Sequence, residues 1–149
     1  MQLFSALYES NDPWNHFDSV LGCTSPDQMH SDGCLMLHGG EDISPSIYGQ
    51  RPTRFTHAGD RPSKRDKREL AFIEKAIKLD IPIIGICRGA QLLCAVAGGT
   101  VIQDVTGHGW GKHDLTTEDG DYQMTNSIHH QKMNLRGTKH RLIAWYHPK

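Results

Sequence analysis

The chain has 149 residues, 37% hydrophobic and 22% charged, which suits one globular domain with its own core and excludes a disordered segment. Sixteen Lys and Arg against 17 Asp and Glu leave a net charge of −1, so no basic field points to nucleic acid and no acidic tail to a basic partner. The apolar stretches are too short to span a bilayer, no basic segment followed by an apolar run opens the chain, and Cys23, Cys34, Cys87 and Cys94 form no CxxC pair, so the expectation is a single reduced, cytoplasmic domain over residues 1–149.

In chain order, the first thirty residues read as irregular, with turn formers at Asn11-Asp12-Pro13 and Ser25-Pro26-Asp27. Cys34-Leu35-Met36-Leu37 is a short continuous apolar run stopped by Gly39-Gly40, as a strand buried on both faces would be. Residues 41–62 follow as a loop with prolines at 45, 52 and 62. Ser63, with Asp66 three residues on, starts a helix whose apolar face is Leu70, Ile73 and Ile77, flanked by Phe72 and Ala76. That helix ends near Asp80, because Pro82 cannot continue it. Pro82–Ile86 is the clearest strand, and Ala90–Ala97 reads as a buried helix ended by Gly98-Gly99. Thr100–Val105 is a further strand. Leu115–Thr117 and Tyr122–Asn126 form a hairpin turned at Asp119-Gly120, and Arg141–Trp145 is a last strand. Alternating strands and helices predict an α/β layer fold with a parallel sheet and an antiparallel addition near the end.

The chemistry concentrates in Ile83-Ile84-Gly85-Ile86-Cys87-Arg88-Gly89-Ala90-Gln91, where an apolar strand runs through Gly-x-Cys-x-Gly directly into a helix. This is a nucleophile-elbow pattern with cysteine in place of serine. A tight turn there leaves no room for β-carbons at the flanking positions, hence the glycines. The helix N-terminus favours an anionic sulfur, and its N–H groups suit an oxyanion. Cys94, two turns on, reads as core. Gly39-Gly40 after a buried strand lets backbone approach a ligand closely and offers a second set of amides. His129-His130 close a strand, so their side chains point to opposite sides and one of them can face Cys87. His16, His30, His38, His57 and His140 are scattered and read as surface or satisfied histidines; with no HExxH and no Cys/His zinc spacing, neither metal nor cofactor is expected.

These segments together resemble a known family. Gly85–Gln91 is similar to the G-x-C-x-G-x-Q pattern of the class I glutamine amidotransferases, and the arginine after the cysteine resembles the γ-glutamyl-γ-aminobutyrate hydrolase, or peptidase C26-like, branch. Gly39-Gly40-Glu41-Asp42-Ile43-Ser44-Pro45-Ser46-Ile47-Tyr48 resembles that branch's G-G-x-D-x-x-P-x-x-Y stretch, and Asn126–Gln131 its N-S-x-H-H-Q stretch; Gly98-Gly99-Thr100 and Gln103-Asp104 fit as well. The related cysteine peptidase and chaperone group usually carries histidine after the nucleophile, where this chain has Arg88.

The resemblance implies a Rossmann-like (flavodoxin-like) class I glutamine amidotransferase fold, a mostly parallel sheet flanked by helices. It implies that Cys87 attacks glutamine or a γ-glutamyl amide to form a γ-glutamyl thioester. Backbone N–H groups of Gly40 and Arg88 would form the oxyanion hole, and Gly39, Gln91, His129 and His130 would line the glutamyl pocket. The partner it implies is a small γ-glutamyl substrate, with no nucleic acid or membrane. A synthetase receiving ammonia, or a second copy of the chain, remains open as a protein partner. A catalytically degenerate member that binds a γ-glutamyl compound is the non-enzymatic alternative. Two departures stand out. The family's opening strand–helix unit is hard to find before residue 34. Its closing W-H-P-E-like motif, which carries the general base, is echoed only by Trp145-Tyr146-His147-Pro148-Lys149, so the expectation is that the chain stops before its catalytic histidine.

Overall fold

The computed structural model describes residues 1–6, 17–106 and 111–146. Strands β1 (Gln2–Ser5), β2 (Ser19–Gly22), β3 (Gly33–Leu37) and β4 (Ile83–Gly85) form a parallel sheet in the order β2-β1-β3-β4. That order, with helices packed on the sheet, is the start of the flavodoxin-like doubly wound arrangement, and the chain has this α/β fold. The central strand β3 is buried at every position. Leu35 and Leu37 turn to a core shared with Phe4, Phe72, Ile73, Ala76, Leu92 and Ala95. Cys34 and Met36 turn to the opposite face, beside Leu3, Val20 and Ile84. A strand covered on both faces needs no polar alternation, which is why its sequence is a continuous apolar run.

Gln2–Ser5 and Ser19–Gly22 are therefore strands, where the sequence suggested irregular chain. Gln2–Ser5 is a four-residue strand with only two large apolar side chains, too short to show a period. Its place is set by partners on both sides, with Leu3 opposite Val20 of β2 and Cys34 of β3. The turn formers at Asn11-Asp12-Pro13, like His16, lie outside the described residues.

Helix α1 (Lys64–Leu79) begins with a reciprocal capping box between Ser63 and Asp66, and it ends at Asp80 in a left-handed conformation with φ 54°. Its inner stripe is Asp66, Glu69, Phe72, Ile73 and Ala76. Ile77, expected to face inward, is 61% exposed. The buried stripe begins with two carboxylates because a cation lies beneath them. Helix α2 (Arg88–Val96) follows β4 through Ile86 and Cys87.

Beyond α2 the pairing turns antiparallel. Strand β5 (Thr100–Ile102), shorter than expected, pairs with β8 (Lys132–Asn134). Strands β6 (Gly111–Thr117) and β7 (Tyr122–Ser127) form the hairpin, with Gly120 at φ 88°, and β9 (Ala144–Tyr146) pairs on the other side of β6. Among the described residues no helix is long and apolar enough to cross a membrane.

Candidate active site

Cys87 is the N-cap of α2, with φ 50° and ψ −109°. A non-glycine residue there is strained, at a typical cost of about 1–3 kcal/mol, and such strain persists only where surrounding structure imposes it. The imposing contact is the close approach of β4 to α2: a β-carbon on Gly85 would stand 2.6 Å from the Ala90 nitrogen. No side chain fits there. Of the four free cysteines, Cys87 alone is exposed. Burial pushes the thiols of Cys23, Cys34 and Cys94 up from their ordinary value, toward the inert neutral form.

The Gly39-Gly40 turn lies against this elbow, since a β-carbon on Gly39 would meet Cys87 Cβ at 3.5 Å. Gly40 sits at φ 145°, a conformation other residues rarely adopt. The turn is held from behind. Arg65 Nη2 donates to the carbonyls of His38 at 3.1 Å and Gly39 at 2.9 Å. Arg65 Nε in turn donates to Glu69 Oε1 at 2.9 Å. The Arg88 side chain points away from the cleft and is 2% exposed. Its guanidinium pairs with Asp66 at 2.5 Å and with Glu69. A single polar chain thus runs from the first residue of α2, through α1, to the carbonyls of the glycine turn.

Cys87 opens into a cleft of about 760 Å³ that Gln91, His113, His129, Gln131 and His140 also line. Of the two adjacent histidines, His129 faces this cleft. His130 lies on the other side, with Nε2 3.0 Å from Asp42 Oδ1. His129 Nδ1 lies 2.8 Å from the Gln131 carbonyl. A carbonyl only accepts, so Nδ1 is the donor in this contact. Gln131 has the clearest signature that the sequence alone did not reveal. It is 2% exposed, yet both side-chain amide atoms are buried without a hydrogen-bond partner. Buried polar atoms are nearly always satisfied, and exceptions call for an explanation such as a ligand. Linear position could not show this, because it depends on what surrounds the amide. Tyr146 and Trp145 line the cleft too; His147 and Lys149 lie outside the described residues.

The comparisons with known proteins agree with the motifs. A glutamine amidotransferase-like relative from Lactococcus lactis subsp. cremoris, named "Putative glutamine amidotransferase-like protein YvdE homolog", is 35% identical over 117 residues, covering 65% of this chain and 61% of that protein. Protein NtpR of Enterococcus hirae is 43% identical over 72 residues, covering 48% of this chain and 29% of the relative. The carbamoyl phosphate synthase small chain of Salmonella typhi is 26% identical over 103 residues, covering 69% of this chain and 22% of the relative. The chain thus matches less than two thirds of the length of each of these relatives. The family model Peptidase C26 matches residues 27–147, a span that takes in the glycine turn, the cysteine elbow and the His-His-Gln stretch, and the chain belongs to the Peptidase C26 family.

Proposed function

We propose that this chain is a single catalytic domain that hydrolyses the side-chain amide of glutamine or of a γ-glutamyl amide through a thioester on Cys87. The observation that carries the reading is the exposed cysteine held at φ 50° at a helix N-terminus, beside a second glycine turn. The sulfur attacks the γ-carbonyl carbon, and the carbonyl oxygen takes up the negative charge. The Arg88 N–H, in the first turn of α2 where helical donors lack intrahelical partners, and the Gly40 N–H receive that charge. Loss of one such donor typically costs about 10²–10³ in rate. The C–N bond then breaks, and the amine leaves with a proton. Water attacks the thioester, the C–S bond breaks, and glutamate and the free thiol are restored. Proton delivery to the amine contributes roughly 10²–10⁴-fold, and the cleft brings His113, His129 and His140 to the same space as Cys87.

Gly39, Gln91 and His129 line the glutamyl pocket in this reading, with Gln131 offering an unpaired amide to the substrate's polar end. His130 supports the pocket from behind through Asp42. Similarity to a carbamoyl phosphate synthase small chain favours one second reading, in which the released ammonia passes to a synthetase partner.

Intact mass measurement and amine release test the proposal. The chain and Cys87→Ala are incubated with glutamine, γ-glutamyl-γ-aminobutyrate and casein. A γ-glutamyl adduct on the parent that Cys87→Ala lacks, with release of ammonia or amine, is expected. Casein cleavage without γ-glutamyl turnover, or turnover that survives Cys87→Ala, overturns it. Turnover that rises only when a synthetase is added selects the second reading.

A further inference from the structure

Asp42, His57 and His130 arrive from three separate stretches of chain: the segment after the glycine turn, the proline-rich loop, and the chain just beyond β7. Each offers a ligand atom, and these atoms lie within 4.8 Å of one another. His130 Nε2 stands 3.0 Å from Asp42 Oδ1. The His57 and His130 rings lie 4.8 Å apart at a tilt of 33°. Asp42 Oδ2 accepts the backbone N–H of His57 at 2.7 Å, which fixes the carboxylate and leaves its other oxygen directed at His130. On the far edge of the same ring, His130 Nδ1 faces Asp104 Oδ1 at 3.5 Å.

We propose that Asp42, His57 and His130 bind one zinc-class divalent cation, with Asp104 orienting His130. One carboxylate would satisfy a structural histidine. A second carboxylate behind the ring, with a second imidazole in front, is the arrangement of a metal-bound histidine and its outer-shell acceptor. Zinc holds nitrogen and oxygen ligands at about 2.0–2.2 Å in tetrahedral geometry, which places ligand atoms roughly 3.3 Å apart. The His130–Asp42 separation is already close to that. His57 is exposed, so side-chain rotation can close the remaining gap. Two imidazoles and one carboxylate suit zinc better than magnesium or calcium, which prefer all-oxygen shells. The fourth position is left to water. Asp42 and Asp104 offset the two positive charges; Glu41 and Arg61 line the adjoining small cavity with Asp42 and His57. The cation would tie the loop carrying His57 to the end of β7. No linear zinc spacing announces the site, because residues 42, 57 and 130 meet only in the fold.

Calorimetric titration of Zn²⁺ into chelator-treated protein tests this, with Cys87→Ser as the parent so that the exposed thiol cannot compete. One equivalent is expected. His57→Ala should lose that stoichiometric binding. Asp104→Asn should keep the stoichiometry and weaken affinity by about 10–100-fold. His140→Ala, in the Cys87 cleft, should bind as the parent does. Circular dichroism establishes that each variant is folded. X-ray absorption of the zinc-loaded parent should show two imidazoles and oxygen, with no sulfur, and it decides the matter even if His57→Ala misfolds. No zinc uptake by the folded parent, unchanged binding by folded His57→Ala, or a shell with sulfur or a single histidine would overturn the proposal.

Discussion

Glu69→Ala is the most revealing single change outside the cleft. Glu69 is fully buried and serves two cations, Arg88 inside the core and Arg65 at the back of the glycine turn. Removing it leaves the Arg88 guanidinium, 2% exposed, with Asp66 alone. Breaking a buried ion pair from one side typically costs about 3–5 kcal/mol, mostly from the charge left behind. A domain of this size has roughly 5–15 kcal/mol in all, so Glu69→Ala should lower the urea midpoint severely. The double variant Glu69→Ala/Arg88→Met separates the pair from its surroundings. If the cost is an uncompensated cation, removing that cation should restore part of it, and the two changes should couple by about 1–3 kcal/mol. Equilibrium urea denaturation of the parent, both single variants and the double variant gives the cycle directly. Additivity within about 0.5 kcal/mol, or a loss under about 1 kcal/mol for Glu69→Ala, would refute the account of α1 and α2 as joined through buried charge.

Gln131→Met keeps the side-chain length while removing two buried, unpartnered polar atoms; it should raise the stability of the ligand-free protein by about 1–3 kcal/mol and weaken glutamine binding, and a destabilised variant in urea melts would show that the amide has partners. Burial, followed by the nearby Asp42 carboxylate, pushes the Tyr48 hydroxyl up to about 12 from its ordinary value of 10.0. The folded state therefore disfavours the phenolate, so the tyrosine's contribution is complete below about pH 10 and roughly 2–3 kcal/mol is lost as pH rises to about 12. Tyr48→Phe, which also removes a buried hydroxyl without a partner, should match or exceed the parent at neutral pH and lose less stability across that alkaline window. Equal losses for the two proteins in pH-dependent urea melts would contradict this.

What the sequence disclosed and what it hid follow from the range of the interactions involved. The elbow was legible because its determinants are adjacent: Gly85 is required by Ala90, five residues away. The start of α1 was legible because Ser63 and Asp66 cap one another within a single turn. Strand β3 showed itself by a run of apolar residues that needs no partner to be noticed. By contrast, β1 is a strand only because β2 and β3 lie on either side of it. Gln131 is unusual only in surroundings assembled from distant segments, and the Asp42–His57–His130 group exists only where three stretches cross. Ile77 was misplaced for the same reason, since apolar periodicity takes no account of a buried arginine nineteen residues from its carboxylate partner Glu69.

Arg88 shows most clearly why local pattern and long-range packing must be read together. In the sequence it marks a family branch, and its backbone N–H is the one assigned to the oxyanion in the proposed reaction. In the structure its side chain turns into the core and pairs with Asp66 and Glu69, and Glu69 passes the constraint to Arg65 and so to the carbonyls of His38 and Gly39. The two proposed oxyanion donors, Gly40 in the glycine turn and Arg88 at the start of α2, lie 48 positions apart in the chain, yet this relay holds both by one set of buried charges. Their spacing therefore depends on helix α1, which contributes no residue to the cleft itself. A change at Glu69 should accordingly reach the chemistry at Cys87 as well as the stability of the fold, lowering the rate of thioester formation more than it weakens substrate binding.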